Sequence, residues 1–239
     1  MPGVADLPEP PWWTPRKTSA PRRSLSREAI VGAALKILRA EGTYGVSMRR
    51  VATELGTGAA SLYAHVANKE ELLELVFDEI VAEIPLPEPD PARWQEQVRQ
   101  LWIDSHAALA RNGDIARVAL GRVPLGPNSM RVAEVTMTVL RSGGVPDKAA
   151  AWAVDVVGLY VVANAIEGTV YADRQPSEQE RAAYWSQVGN YFTALPADRF
   201  PTTVALAPMM MTGTGEERFA FGLDLIIRGL SSLAAGPSR

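Results

Sequence analysis

Apolar residues recur three and four positions apart along nearly all of the chain after Leu25, and no stretch alternates apolar with polar residues for the length of a strand. That pattern predicts an all-α protein. Ile30, Ala33, Ala34, Ile37 and Leu38 form one stripe of a first helix over Ser26–Glu41, capped by Ser26 and closed by Gly42. Ser47 caps a second, short helix with Val51, Ala52 and Leu55 inward. Gly56 stands where a left-handed residue ends it, and Gly58 adds a second permissive position. A third short helix is expected from Ala59 to about Val66. Asn68 and Glu71 have capping-box spacing for a fourth over Lys69–Ile84, with Leu72, Leu73, Val76, Phe77 and Ile80 inward. The run Pro85-Leu86-Pro87-Glu88-Pro89-Asp90-Pro91 ends it, because proline lacks the N–H and disfavours helix in the residue before it.

Beyond the proline run the period stays helical. Asp90-Pro91 reads as a cap plus a first-turn proline, opening a helix with Trp94, Val98, Leu101, Trp102, Ser105 and Leu109 on one side. Asn112-Gly113 closes it, a short helix covers Asp114–Ala119, and a loop runs over Gly121–Pro127. Further helices are predicted over Ser129–Ser142, Asp147–Asp173, Ser177–Ala194 and Glu216–Ala234, with a proline-rich loop carrying Met209, Met210 and Met211 before the last. The 147–173 helix is apolar nearly all round (Trp152, Val156, Leu159, Tyr160, Ala163, Ile166, Val170), which makes it central or shared with a partner. Residues 1–24 contain six prolines and no helical period and read as a disordered arm. The expected organisation is therefore an arm over 1–24, a helical head over 25–84 and a helical body over 91–239.

Charge separates these parts. The net charge is −3, yet residues 1–66 carry nine Lys or Arg against five acids, and the remainder carries fifteen against twenty-two. A basic head on an acidic body suits a reader of nucleic acid joined to something that is not one. At 239 residues and 47% hydrophobic the chain is long enough for a substantial core. It has no cysteine, so disulfide scaffolds and thiolate metal sites are excluded. The longest uncharged apolar helical run, Val156–Ile166, is shorter than the ~20 residues a membrane span needs, and no apolar leader opens the chain. A cytoplasmic protein with no membrane partner is expected.

Catalytic motifs are absent. The glycines of Gly56-Thr57-Gly58-Ala59-Ala60-Ser61 follow no strand and lack the third glycine of a dinucleotide loop. His65 and His106 are the two histidines of the chain, too few for a multi-histidine metal site, and the carboxylates are scattered singly. No enzyme activity, cofactor or metal is expected.

The head offers a different chemistry. Two short helices joined by a glycine turn form a helix-turn-helix, whose second helix can lie in the DNA major groove. Ala59, Ala60 and Ser61 are small enough to let that helix approach the duplex closely. Tyr63 and His65 supply hydrogen-bonding tips, and Lys69 opens the next helix where a phosphate can be held. Arg16, Lys17, Arg22 and Arg23 precede the first helix, where a basic arm can follow phosphates or enter a minor groove. Trp12-Trp13 has no assignment.

The run Leu62-Tyr63-Ala64-His65-Val66-Ala67-Asn68-Lys69-Glu70-Glu71-Leu72-Leu73, after a G-x-G turn and a helix carrying Arg49, resembles the DNA-binding domain of TetR-family transcriptional repressors. The resemblance covers Leu25–Ile84, and the Ile84–Pro91 segment is similar to the tetracycline-repressor-like branch. It implies a homodimer that binds double-stranded operator DNA and is released by a small-molecule effector through a shift of the fourth helix. Arg49, Thr57, Ala59, Ala60, Ser61, Tyr63, Ala64, His65 and Lys69 are then the candidate DNA contacts. Ala64 stands where tetracycline repressors carry a large aromatic, so their operator does not transfer.

In such repressors the body helices enclose a cavity, which makes Trp102, His106, Met137, Trp152, Tyr160 and Asn164 the candidate ligand contacts. Gly222 and Gly229 cost about 1 kcal/mol each in helix propensity, which suggests close helix packing. With Leu159, Ala163, Ile166, Phe219, Ile226 and Leu230 they are the candidate dimer interface. Two other readings stay open: an activator in place of a repressor, and an all-helical carrier or enzyme whose first helices bind a partner other than DNA.

Overall fold

The computed structural model describes residues 25–120, 123–173 and 177–234, which are helical with no strand among them. The arm 1–24, with its basic residues and Trp12-Trp13, lies outside the described residues, as do Gly121 and the side chain of Val170.

Caps set the head helices. α1 (Arg27–Gly45) begins where the Ser26 hydroxyl accepts from the Ala29 N–H, and it continues past the expected Glu41 because one more turn follows a break at Gly42, φ +70°. α2 (Met48–Glu54) starts on Ser47, whose hydroxyl accepts from the Arg50 N–H, and Gly56 at φ +64° turns the chain out of it. Gly58 has an ordinary φ of −84°, so the second permissive position is not used. α3 (Ala59–Leu62) is a single turn, shorter than the expected run to Val66. The His65 and Val66 N–H groups both donate to the Leu62 carbonyl, closing a tight turn there. α4 (Lys69–Val81) is capped by Asn68, which accepts from the Glu71 N–H at 2.8 Å, while the Glu71 carboxylate reaches back to the Ala67 N–H.

The body contains α5 (Trp94–Ala110), a 3-10 turn (Gly113–Ala119), α6 (Pro127–Ser142), α7 (Asp147–Asp173), α8 (Glu178–Thr193), α9 (Pro201–Met210) and α10 (Gly215–Ala234). α5 starts at Trp94, not at Pro91. Asp90 instead closes a turn, its carbonyl accepting from the Arg93 N–H and its carboxylate from the Ala92 N–H. The expected methionine loop before the last helix is α9: Pro201 sits in the first turn, where no N–H is missed, and Pro208 lies near the end.

α5, α6 and α7 pack on one another, α10 lies on α5 and α7, and the 3-10 turn is wedged among α1, α4, α5 and α7. One continuous apolar core runs from Ile30 in the head to Leu230 in α10. α8 and α9 pack on each other but bury almost nothing, α8 no residue and α9 Ala207. Polar ties join head to body: the Asp114 carboxylate accepts from the N–H and hydroxyl of Thr43, and Arg39 donates to Asn112.

α7 corrects one sequence expectation. Counted with its few charges, Asp147–Gly168 is long and apolar enough to cross a bilayer by length and composition. Here it packs against α5, α6, α10 and the 3-10 turn as the central helix of the body.

The α10 glycines also differ from the expected pair. A Cβ at Gly222 would collide with the Tyr160 ring end, which stacks on Phe219 and donates to the Phe219 carbonyl, so that close approach is within one chain. Nothing lies near a Cβ at Gly229. Gly222→Ala is expected to cost about 1–3 kcal/mol, and Gly229→Ala to gain up to about 1 kcal/mol from helix propensity. Urea denaturation of both variants measures this; a stabilised Gly222→Ala would show that Tyr160 is not held in place.

Candidate nucleic-acid interface and ligand cavity

α3 is held out from the head by what surrounds it. Leu62 is fully buried and anchors the turn from below. The Arg27 guanidinium donates to the His65 carbonyl at 3.2 and 3.3 Å, tying the end of the turn to α1. What remains outward is Ala60, Ser61, Tyr63 (55% exposed) and Ala64, with Thr57, Ala59 and His65 half-buried. Arg49 is exposed on α2 and, among the described residues, pairs with no acid, whereas Arg50 pairs with Glu41 and Lys36 with Glu54. Lys69 donates to the Thr43 carbonyl at 3.1 Å. Among the nine candidate DNA contacts, Arg49 carries a charge that no acid pairs with among the described residues.

Behind the head lies a cavity of about 430 Å³. Its walls come from α4 (Phe77, Val81) and the turn after it (Ile84), α5 (Trp102, Ser105, Leu109), the 123–125 segment, α6 (Ser129, Met130, Thr136) and α7 (Ala151, Val154, Asp155, Val157, Gly158, Leu159, Val161, Val162). The lining is mostly apolar. Its hydroxyls have already spent their protons, Ser105 on the Leu101 carbonyl, Thr136 on the Val132 carbonyl and Ser129 on Asp78. They therefore face a ligand as acceptors, together with the Asp155 carboxylate. An apolar body bearing donors fits such a site. Among the described residues no cluster of three or more His, Asp or Glu could hold a metal ion.

Residues 86–234 match the tetracyclin repressor-like C-terminal domain, and residues 30–76 match the tetR family of bacterial regulatory proteins. The chain belongs to the TetR family. It is 33% identical over 237 residues to the HTH-type transcriptional repressor DrrR1 of Streptomyces coeruleorubidus, covering 94% of this chain and 84% of the relative. ActR of Streptomyces coelicolor in complex with actinorhodin superposes with a TM-score of 0.82 at 44% identity, covering 90% of this chain and all of that one. The same protein in complex with (S)-DNPA gives 0.77, covering 88% and 98%. These relatives are regulators and not enzymes; the chain is a TetR-family transcriptional repressor with a helix-turn-helix DNA-binding head.

Of the six candidate ligand residues, Trp102 lines the cavity of this repressor. Met137 is half-buried on α6 and Trp152, 64% exposed, lies under the Lys148 ammonium; neither is among the lining residues. His106, Tyr160 and Asn164 gather elsewhere, where α5, α7 and α10 meet. His106 stacks on Phe219 at 4.3 Å, Phe219 on Tyr160 at 5.4 Å, and the Asn164 amide donates to the Tyr160 carbonyl. Sequence reasoning missed Phe77, Val81 and Ile84 as cavity wall; Phe77 and Val81 are one turn apart on α4, which ends at Val81 and not at the expected Ile84, so Ile84 reaches the wall from the turn that follows.

Among the candidate dimer residues, Phe219 and Leu230 are buried in their own chain, and Ile166, Gly222 and Ile226 are half-buried. Leu159, Ala163 and Gly229 are exposed. Trp152, Val156, Phe221, Leu225 and Leu233 add large exposed apolar residues on α7 and α10.

Burial pushes the His106 imidazole below its ordinary value of 6.5, against a hydrogen bond with the Asn164 backbone and the field of Glu216. The folded chain then binds this proton less readily than the unfolded one. Stability is unaffected above pH 6.5, falls as pH drops through 6.5, and reaches its full loss below the folded value. Comparing urea midpoints at about pH 7.5 and about pH 5.5, the loss is expected to be smaller in His106→Asn than in the wild type. An equal loss would mean that His106 is not the responsible group.

Proposed function

We propose that this repressor acts as a homodimer that holds operator DNA through α2, α3 and Lys69, and that a small molecule entering the cavity releases it. The observation that carries the reading is that α4, which begins beside the recognition helix, supplies Phe77 and Val81 to the cavity wall, with Ile84 following in the turn after it. A bound molecule touches the same rigid helix that positions the head. The exposed apolar residues of α7 and α10 support a second copy as partner. The ActR complexes with actinorhodin and (S)-DNPA support a small-molecule effector. Its chemistry is an apolar body with hydrogen-bond donors, matched to the acceptor hydroxyls. A DNA-bound regulator of this kind works in the cytoplasm.

The test is fluorescence anisotropy with the duplex upstream of the protein's own gene and a scrambled duplex, across a salt series, with and without actinorhodin. Specific binding about 10³-fold above the scrambled duplex is expected. Equal binding to both duplexes would remove this operator assignment, and no binding at low salt would remove DNA as the partner.

Lys69→Ala is expected to weaken binding to all sequences and lower the salt slope by about 1. Arg49→Ala should also relax base preference, by about 1–3 kcal/mol at one position. An unchanged slope in Lys69→Ala would take that residue off the phosphate. Gly158 faces the cavity, and a Cβ there meets nothing within 4 Å. Gly158→Leu is therefore expected to keep DNA binding and lose release by effector; full release would place the ligand elsewhere.

A further inference from the structure

Asp78 is an acid in the last turn of α4, 6% exposed, and its carboxylate reaches the start of α6. One oxygen accepts from the N–H and side-chain amide of Asn128, both at 3.1 Å. The other accepts from the N–H of Ser129 at 2.9 Å and its hydroxyl at 2.8 Å. Asn128 and Ser129 form the first turn of α6, whose N-cap position is Gly126, a residue with no side chain to satisfy those donors. A Cβ at Gly126 would overlap the Asp78 carboxylate, so the glycine is what lets α4 come this close. An acid from one helix thus caps the other, where free N–H groups and the helix dipole favour negative charge.

The surroundings give this cap a meaning beyond stability. Phe77, next to Asp78, and Ser129, bonded to it, both line the cavity behind the head. Both also line a second hollow of about 590 Å³ that shares the 123–125 segment with the first and that Asp78 itself borders. A molecule in the cavity touches the α6 residue that Asp78 holds and the α4 residue beside it.

We infer that Asp78 is the positioning residue through which the first turn of α6 and the head's α4 move as one, so that cavity occupancy is felt at the recognition helix. This rests on the effector reading above. Asp78 touches neither DNA nor ligand. Four charge-assisted bonds converging on one buried carboxylate make a joint that holds in one geometry and is lost together when the helices part. Coupling between distant sites requires an element of this kind, with a discrete arrangement that both sites bias.

Asp78→Asn keeps the side chain's shape but sets an NH₂ against N–H and O–H donors. Gly126→Ala expels the wild-type carboxylate by a different route. Hydrogen exchange of the full chain without ligand is the first readout. Both variants are expected to lose protection in the first turn of α6 and also along α4 from Lys69 to Asp78. Loss confined to residues 127–130 would make Asp78 a local cap and overturn the inference.

The second readout is operator affinity with and without actinorhodin. Wild type is expected to show a ratio that drops about tenfold in each variant, with the double variant no worse than the worse single one. Ligand affinity itself should stay within a few-fold. An undiminished ratio in the variants overturns the inference. A wild type insensitive to actinorhodin counts against that effector, and hydrogen exchange alone then decides Asp78.

Discussion

α4 belongs to two packing problems at once, and that shared helix constrains the rest of the molecule. It lies on α1 in the head, and also on α5, α6 and the 3-10 turn of the body. Leu72, Val76 and Ile80 are fully buried, while Phe77, Val81 and Ile84 complete the cavity wall. Close-packed interiors resist local deformation and pass displacements on to their neighbours. With one core running through both parts, a shift imposed at Phe77 meets no soft boundary before the head. The proline run 85–91 separates α4 from α5 in sequence without separating them in packing.

Thr43 shows the same economy in polar form. Its N–H and hydroxyl go to Asp114 on the body's 3-10 turn, and its carbonyl takes the Lys69 ammonium. A phosphate at Lys69 would compete with that carbonyl, an exchange of hydrogen bonds with a small net cost. The residue proposed to hold DNA is therefore attached, through one threonine, to the part of the body beside the cavity. Arg27 on the His65 carbonyl and Asp78 on α6 are further long-range polar ties in a molecule held mainly by apolar contact.

How much of this the sequence disclosed follows from how local each cause is. Ser26, Ser47, Asn68 and Ser177 cap helices through residues three positions on, so those starts were legible. The early end of α3 was not, because it depends on two N–H groups competing for the Leu62 carbonyl. The prolines and methionines of α9 carry no periodic signal and so predict a loop, yet Pro201 fits a first turn. The cavity lining was the hardest part. α7 is apolar nearly all round, so its pattern cannot say which side faces the hollow, and the structure uses Ala151, Val154 and Val161 rather than the more conspicuous Trp152. Asp78 looks like one more solvated helix acid until the chain fifty residues later folds onto it.

The exposed side of α7 closes the argument about how the proposed parts fit together. Ala151, Asp155, Gly158 and Leu159 line the cavity and are also exposed at the surface, so the hollow opens through that helix. Trp152 and Val156 stand beside them, more than half exposed, and are too apolar to favour water when a second copy can cover them. A partner seated on α7 would border the cavity mouth, and a ligand entering there would meet residues that also bear on the partner. In that arrangement effector binding and the spacing of two recognition heads share a surface as well as a helix. A change in one is then transmitted to the other by contact, with α4 setting the tilt of each head and α7 the relation between the two.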